Sequence, residues 1–294
     1  MDTSLYRAAM EGNTEILNQN KNHLKNQHTP NNNIVLHVAA QFGHIHCVME
    51  ILNMSLIEYA NALDEELENG VGTAKDMMRM SNEAKDAALP EAVRNHHPIA
   101  VQLLTQEDPE FCHPANNAEE TPLYLAVERG YVGLVFVILK TCTVPTYGGP
   151  GGRTALHSTV IHNLEGCTRK LLQWKPALSK EADAYGWIPL HYAARFGYVL
   201  RARDLINEDK SVAYIADKDD KNTALHLAAS QGHVRVIKEL IAHYELLGDN
   251  AGLCANLDQR DVFGRDKDEW QPKRDIMSLK KSYQQISEDQ QTPI

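Results

Sequence analysis

The sequence predicts an all-α solenoid of about seven stacked helix pairs joined by short connecting turns. A short motif recurs along most of the 294-residue chain, and apolar residues stand at helical intervals within each copy. The five clearest copies begin at Ile34, Thr121, Thr154, Ile188 and Thr223, and two weaker copies begin at Thr3 and Ala87.

The first helix of each pair is predicted from three recurring positions. The third residue of every copy is a leucine: Leu5, Leu36, Leu89, Leu123, Leu156, Leu190 and Leu225. Three residues after each leucine stands an alanine or Thr159, which places a small residue on the same helical face and allows close packing. Seven residues after it stands a glycine, His96 or Asn163, residue types that tolerate the left-handed conformation at a helix end.

The second helix is predicted from an apolar residue fifteen places after the leucine. Six copies have one: Ile51, Leu104, Ile138, Leu171, Leu205 and Leu240. Threonine at the head of a copy is expected to cap the first helix, and Pro122 or Pro189 suits its first turn. A period near 33 residues with a Thr-Pro-Leu-His core resembles the ankyrin repeat over about residues 2–245.

The spacing predicts four segments. Residues 1–52 hold repeats 1–2, residues 53–84 form a helical insertion, residues 85–245 hold repeats 3–7, and residues 246–294 form an aborted repeat and a polar tail. The insertion is expected to contain an acidic helix that ends at Gly70. Its methionines Met77, Met78 and Met80 are expected to pack on the next repeat, and an adaptable docking surface is the alternative.

The tail is expected to form a capping helix over about residues 274–287. Its apolar stripe consists of Ile276, Leu279, Tyr283 and Ile286. A terminal repeat needs a polar outer face, and such a helix would supply one. The alternative is an unfolded remnant, because charged and amide side chains surround the stripe.

The glycine-rich stretch "GGPGGRTALH" is interpreted as a turn and not as a phosphate-binding loop. A P-loop requires a glycine at position 147 and a lysine at 153, where this chain has Tyr147 and Arg153. Gly152 aligns instead with Gly186 in the connection before the next helix pair, where glycine supplies positive φ. No catalytic residues and no bound cofactor are therefore predicted.

Four of the fourteen histidines follow the repeat leucine: His37, His157, His191 and His226. They are expected to tie one helix start to the neighbouring turn and not to bind metal, because one repeat spacing separates each from the next. Tyr6, Pro90 and Tyr124 occupy the same slot in other copies. No metal site is predicted.

Composition restricts the class of partner. The net charge of −10 repels phosphate backbones, so nucleic acid is not an expected partner. Five scattered cysteines without a C-x-x-C pair indicate reduced thiols, as in the cytoplasm. The N-terminus lacks the apolar run of a signal peptide, and the longest apolar run, residues 131–139, is too short to span a membrane.

A more specific resemblance concerns three stretches: "LDEELENGVGTAKDMMRMSNEAKDAALPEAVRNHH", "TPLYLAVERG" and "GGPGGRTALH". They resemble the ankyrin half of a plant family that joins an ankyrin array to a C-terminal membrane domain with a Pro-Gly-Gly signature. Its members include the accelerated-cell-death and salt-tolerance ankyrin proteins. The resemblance covers about residues 2–265 and ends near Asp266, before any membrane half.

This resemblance implies a cytoplasmic protein-binding module in plant defence or stress signalling, at the cytoplasmic face of the plasma membrane in full-length members. The alternative is a soluble truncated form that pairs with membrane-anchored relatives. Either form is expected to bind other proteins through a concave surface of turn tips and first-helix ends. The candidate binding residues are Glu128, Arg129, Arg153, Tyr185, Trp187, Arg195 and Phe196, because arginine and aromatic residues dominate binding hot spots.

Overall fold

The computed structural model describes residues 1–53 and 74–247. The chain divides into two compact units, residues 1–150 and residues 151–294. The described residues form helices and short turns, and an isolated β-bridge joins Ala216 and Thr223.

The first unit contains nine described helices in chain order. They are α1 (Thr3–Glu11), α2 (Thr14–Gln19), α3 (Val35–Phe42), α4 (residues 45–53, where the described range ends), α5 (Ala74–Arg79), α6 (Ala88–Arg94), α7 (Pro98–Glu107), α8 (Pro122–Glu128) and α9 (Val132–Thr141). Consecutive helices pack in pairs, as in α1 with α2, α6 with α7 and α8 with α9. The first helices of the pairs also stack in the order α1, α3, α6 and α8.

The second unit repeats this arrangement with six described helices. They are α10 (Ala155–Ile161), α11 (Glu165–Trp174), α12 (Pro189–Phe196), α13 (Val199–Glu208), α14 (Ala224–Ser230) and α15 (Val234–Leu247). The first helices stack in the order α10, α12 and α14, and the second helices in the order α11, α13 and α15. Short 3-10 turns at Pro176–Lys180 and Lys210–Tyr214 follow α11 and α13.

The core of both units is built from the repeat positions. All seven repeat leucines are buried, as are the six apolar residues that follow them by fifteen places. The small residue three places after each leucine is buried too, so the stacked first helices lie close together. The predicted all-α architecture of helix pairs is confirmed.

The first helices end as the sequence predicts. The backbone φ angle is positive at each predicted end: Gly12, Gly43, His96, Gly130, Asn163, Gly197 and Gly232. The beginning of α1 differs from the prediction, because Asp2 and not Thr3 is the N-cap and accepts a hydrogen bond from the Ser4 N–H. The Asp2 carboxylate competes successfully with a threonine hydroxyl for this role, since both are good caps.

The glycine-rich stretch is a turn, as predicted. Gly152 has φ +73°, and a Cβ placed on it would lie 3.2 Å from the Ala184 backbone nitrogen. Gly149 has a different role, because a Cβ there would lie 2.2 Å from the Tyr124 ring. One glycine thus allows the backbone to turn and the other makes room for an aromatic ring.

Three buried repeat histidines, His37, His157 and His191, each tie a first helix to the next turn. His157 accepts a hydrogen bond at Nδ1 from the Thr154 N–H (3.0 Å), and its Nε2 lies 2.9 Å from the Trp187 carbonyl oxygen. His37 and His191 form the same pair of contacts, with Asp86 and Asn222 supplying the carbonyls. Desolvation lowers the pKa of His37 and His157 to about 4 and also lowers the pKa of His191.

A second set of histidines was not anticipated from the sequence. His44, His97 and His233 each stand just before a second helix. Each Nε2 lies within hydrogen-bond distance of a backbone carbonyl in the first helix of the preceding repeat. Their rings pack against Gly12, Gly43 and Gly197. Glycine at these helix ends therefore serves a second purpose, because any Cβ would collide with a histidine ring.

The described part of the insertion supports packing on the repeats. Met77 and Met78 are buried in α5, which contacts α6, and Met80 is half-buried. The predicted acidic helix ending at Gly70 and the capping helix over about 274–287 lie outside the described residues. None of the described helices combines the length and apolar character needed to cross a membrane.

Candidate protein-binding site

The seven candidate binding residues lie in both units. Glu128 and Arg129 stand at the end of α8 in the first unit, and both are exposed. Arg153, Tyr185, Trp187, Arg195 and Phe196 belong to the second unit. Among the described residues, four candidates of the second unit form ring or cation–π contacts with one another or with Tyr192.

Three of the second-unit candidates contact the ring of Tyr192, a residue that the repeat pattern does not identify, and a fourth contacts Trp187. Tyr192 lies on α12 between Trp187 (ring centroids 5.1 Å apart) and Phe196 (6.4 Å). The Arg153 guanidinium lies 5.8 Å from the Tyr192 ring centroid, and the Arg195 guanidinium lies 5.3 Å from that of Trp187. Both separations are in the range of cation–π contacts.

We name this set the arginine–aromatic surface, and its residues are Arg153, Tyr185, Trp187, Tyr192, Arg195, Phe196 and Tyr198. Tyr198 extends the surface beyond Phe196, with ring centroids 5.6 Å apart. Tyr185 is 60% exposed and Phe196 is 40% exposed, whereas Trp187 is half-buried. The surface therefore combines accessible aromatic area with rings that neighbouring side chains already hold in place.

Asp183 organises the turn beneath this surface. One carboxylate oxygen accepts the backbone N–H groups of Tyr185 (3.0 Å) and Trp187 (2.9 Å). The other accepts the Tyr192 hydroxyl at 2.5 Å. Burial, followed by this hydrogen bond and the carboxylate charge, raises the pKa of Tyr192 to about 12. Tyr192 thus remains a neutral hydrogen-bond donor, and the turn and α12 are joined at one buried acid.

The sequence contains a signal for this role that the repeat motif does not cover. Aspartate and asparagine side chains commonly bond backbone N–H groups two residues further on in turns. Asp217 and Asn116 do the same at other tips: Asp217 accepts from Asp220 and Asn222, and Asn116 accepts from Ala118 and Glu120. Recurrence of Asp or Asn at the tips could have identified Asp183.

The equivalent face of the first unit has a different chemistry. Its turn tips and first-helix ends line an open groove of about 790 Å³, in which Asn33, Gln41, Asp86, Arg94 and Glu120 occupy the repeat positions of Arg153, Trp187 and Arg195. The groove is polar and contains no aromatic side chain among its lining residues. Repeat register alone does not reveal this contrast, because the side chains at these positions vary between copies.

Arg94 is at the centre of the charged network in this groove. Its guanidinium lies 2.9 Å from Asp86, 3.3 Å from Glu91 and 3.9 Å from Glu120. Desolvation raises the pKa of Glu91, and Arg94 opposes that shift. The positive charge of Arg94 is therefore compensated by acidic side chains within the groove itself.

Neither unit offers a recognisable catalytic or metal-binding arrangement in its described part. No group of three or more His, Cys, Asp or Glu side chains there is placed to hold a metal ion. The repeat histidines His37, His157 and His191 have both ring nitrogens engaged with the backbone. Their chemistry is structural.

Sequence comparisons agree with the repeat pattern. Residues 190–241 match the family model described as ankyrin repeats (many copies). The chain is 27% identical over 172 residues to the transient receptor potential cation channel subfamily A member 1 homolog of Caenorhabditis elegans, covering 57% of this chain and 14% of that protein. It is 45% identical over 74 residues to ankyrin repeat and SOCS box protein 3 of Homo sapiens, covering 25% of this chain and 14% of that protein. The matches thus span a small part of these much longer relatives.

Solved structures show the same fold. The human ASB11 ankyrin repeat domain superposes with a TM-score of 0.58 at 20% identity, covering 82% of this chain and 98% of that domain. The ankyrin repeat domain of Bcl-3 superposes with a TM-score of 0.56 at 19% identity, covering 71% of this chain and 85% of that one. The chain therefore has the ankyrin-repeat fold, and residues 190–241 match the ankyrin-repeat family model.

Proposed function

We propose that this chain is a non-catalytic protein-interaction module whose partner binds the arginine–aromatic surface. The supporting observation is the continuous set of contacts from Arg153 through Tyr192 and Trp187 to Arg195 and Phe196. Aromatic and arginine side chains are the residue types that contribute most at protein interfaces. Turn tips and first-helix ends are the surfaces that repeat proteins offer to partners.

The surface is already ordered, which favours binding. The Asp183 carboxylate fixes the turn and the Tyr192 hydroxyl together. Each ring that is held before binding reduces the ordering entropy that a complex must overcome. Glu128 and Arg129 of the first unit are proposed as a separate contact, supported by their exposure at a first-helix end.

Affinity purification with quantitative mass spectrometry tests the proposal. The bait is the full chain, compared with Trp187→Ala and with Lys170→Ala as a matched control, since Lys170 is exposed on a second helix. We expect a discrete set of proteins retained by the wild type and the control and lost with Trp187→Ala. If Trp187→Ala stays folded by circular dichroism and retains the same proteins, the surface is not the binding site.

A role in plant defence or stress signalling is a further proposal, supported by the three stretches that resemble the plant ankyrin and membrane-domain family. The same resemblance supports placement in the cytoplasm at the plasma membrane, or a truncated form that pairs with membrane-anchored relatives. Co-purification with such a relative from plant membranes tests it. Recovery of no relative, with other partners retained, would contradict the pairing and leave the interaction module intact.

The division into repeats 1–2 at residues 1–52, an insertion at 53–84, repeats 3–7 at 85–245 and a tail at 246–294 is likewise proposed. The positions of the helix pairs support it for the described residues. Limited proteolysis tests it, with early fragments expected to begin or end near the boundaries at residues 52, 84 and 245. Early cleavage inside a helix pair would contradict it.

A further inference from the structure

Two exposed cations at the arginine–aromatic surface, Arg195 and Lys218, have no carboxylate partner within the described part of the chain. Arg195 is exposed, and it forms no ion pair among residues 1–53 and 74–247. Lys218 is exposed on the adjoining tip, where its backbone N–H bonds the Tyr185 carbonyl, and it too forms no ion pair within those ranges. Arg153 also belongs to this surface, and its guanidinium lies over the Tyr192 ring.

The acids near Arg195 and Lys218 form no ion pair with either side chain in the described structure. Asp183 is 6% exposed, and its two oxygens already accept one hydroxyl and two backbone N–H groups. Asp219 and Asp220 are exposed on the tip that carries Lys218, yet neither comes within ion-pair distance of Arg195 or Lys218 in the described structure. The exposed rings thus lie near two cations that form no ion pair within the described ranges, on a chain whose net charge is −10.

We propose that the partner of this surface is an acidic peptide segment, in which a carboxylate is adjacent to an apolar or aromatic side chain. This inference rests on the proposed function and specifies its partner. A guanidinium stacked on an aromatic ring keeps its N–H groups in its own plane, where a carboxylate can accept two hydrogen bonds. The neighbouring apolar side chain would cover Phe196 and Tyr185, which supply the accessible aromatic area.

A nucleic acid is the other ligand that stacked rings and arginines can bind. The charge of the chain disfavours it, because a net −10 repels a phosphate backbone and the surface offers too few cations to overcome that repulsion. A short acidic segment carries little charge beyond the carboxylates that pair with Arg195 and Lys218. Charge complementarity is therefore local, and a peptide meets it better than a polyanion.

A display library of short random peptides, selected on the full chain, tests the proposal. Selected peptides are measured by fluorescence anisotropy against the wild type, Trp187→Ala, Arg195→Glu and the charge-matched control Lys170→Glu. We expect acidic residues next to apolar ones, equal binding to the wild type and control, and about tenfold weaker binding to Arg195→Glu. Peptides with the acid replaced by lysine should regain affinity for Arg195→Glu, which shows that this variant is folded.

The other outcomes separate the two proposals. Neutral or basic peptides that depend on Trp187 would overturn the acidic partner and leave the proposed protein-binding function in place. Peptides insensitive to both Trp187→Ala and Arg195→Glu would overturn both. A labelled single-stranded RNA oligonucleotide is expected not to bind, and binding that Arg195→Glu abolishes would replace the peptide by a nucleic acid.

Discussion

At the scale of single residues, buried histidines link the fold to pH. His37 and His157 have pKa values of about 4 because burial disfavours the charged ring, whereas an exposed histidine in the unfolded chain titrates near 6.5. Between about pH 6.5 and pH 4, these two histidines are protonated in the unfolded chain and neutral in the folded chain. Folding stability must therefore fall as pH decreases from 6.5 towards 4.

We predict that each of these histidines reduces the unfolding free energy by up to about 1.4 kcal/mol per pH unit in that window. Urea unfolding at pH 7, 6.5, 6 and 5.5 gives the slope, in a range where most carboxylates remain ionised. His157→Gln should make the slope shallower, and His46→Gln, at an exposed site on α4, serves as the control. An unchanged slope in His157→Gln would contradict the buried neutral histidine.

Two glycines of one turn should respond differently to substitution. Gly152→Val forces a β-branched residue to φ +73° beside the Ala184 backbone, at an expected cost of about 1–3 kcal/mol. Gly148→Ala is the control, since it has ordinary φ and open space around its Cβ position. Thermal melts compare the two, and millimolar ATP should leave both unchanged. Equal melting temperatures would mean that the turn does not need Gly152.

At the residue scale, structural roles could be predicted for residues that recur in every repeat and not for residues whose role is specific to one repeat. The leucines, the helix-ending residues and the histidine ties follow from the repeat register. Asp183 and Tyr192 escaped notice because their importance depends on a contact between a turn and the helix that follows it. Such pairings are specific to one copy and leave no periodic signal.

At the scale of elements, α13 contains a charge in a position that is apolar elsewhere. Arg201 stands eleven residues after its repeat leucine, where other copies have Cys47, Ala100, Leu134, Cys167 and Val236. It is 1% exposed, and its guanidinium lies 3.1 Å from Asp204 and 3.5 Å from Glu165 on α11. Its Nε and Nη1 have no hydrogen-bond acceptor among the described residues.

We predict that Arg201→Met leaves stability within about 1 kcal/mol of the wild type or raises it. Removing the buried guanidinium removes its desolvation cost, and the two acids are not left uncompensated because Glu165 and Asp204 each keep an ion pair with Arg169. Asp204→Ala should instead destabilise by more than about 1 kcal/mol, because it leaves the buried guanidinium with less compensation. Guanidinium chloride unfolding measures both variants. A large loss in Arg201→Met would show that this ion pair stabilises the α11–α13 contact.

Two substitutions in α14 compare the stability contributed by core packing with that contributed by the repeat histidine. Leu225→Ala removes a buried side chain and should cost about 2–5 kcal/mol. His226→Ala removes a neutral ring that accepts one backbone hydrogen bond, with an expected cost nearer 1 kcal/mol. Chemical unfolding compares them on the same helix, and a chelator should change neither. The reverse order of costs would contradict a core built on the leucines.

At the scale of the whole molecule, the fold was predictable and the chemistry of its surfaces only in part. Repeat period and helical spacing sufficed for the helix pairs, because each copy restates the same packing constraints. The side chains at the turn tips are not part of this repeated packing and vary from copy to copy. The repeat pattern therefore does not distinguish the polar groove around Arg94 from the arginine–aromatic surface around Trp187. Their difference arises from contacts among side chains of several repeats.

The most direct test of the central claim is hydrogen exchange of the full chain with and without a partner recovered through Trp187. We predict protection at the tip 183–187 and over residues 192–198 at and just after the end of α12, with little change along the exposed side of α11. Trp187→Ala should abolish that protection at the same partner concentration. Protection centred on the second helices α11 and α13, with the tips unchanged, would contradict binding at the arginine–aromatic surface.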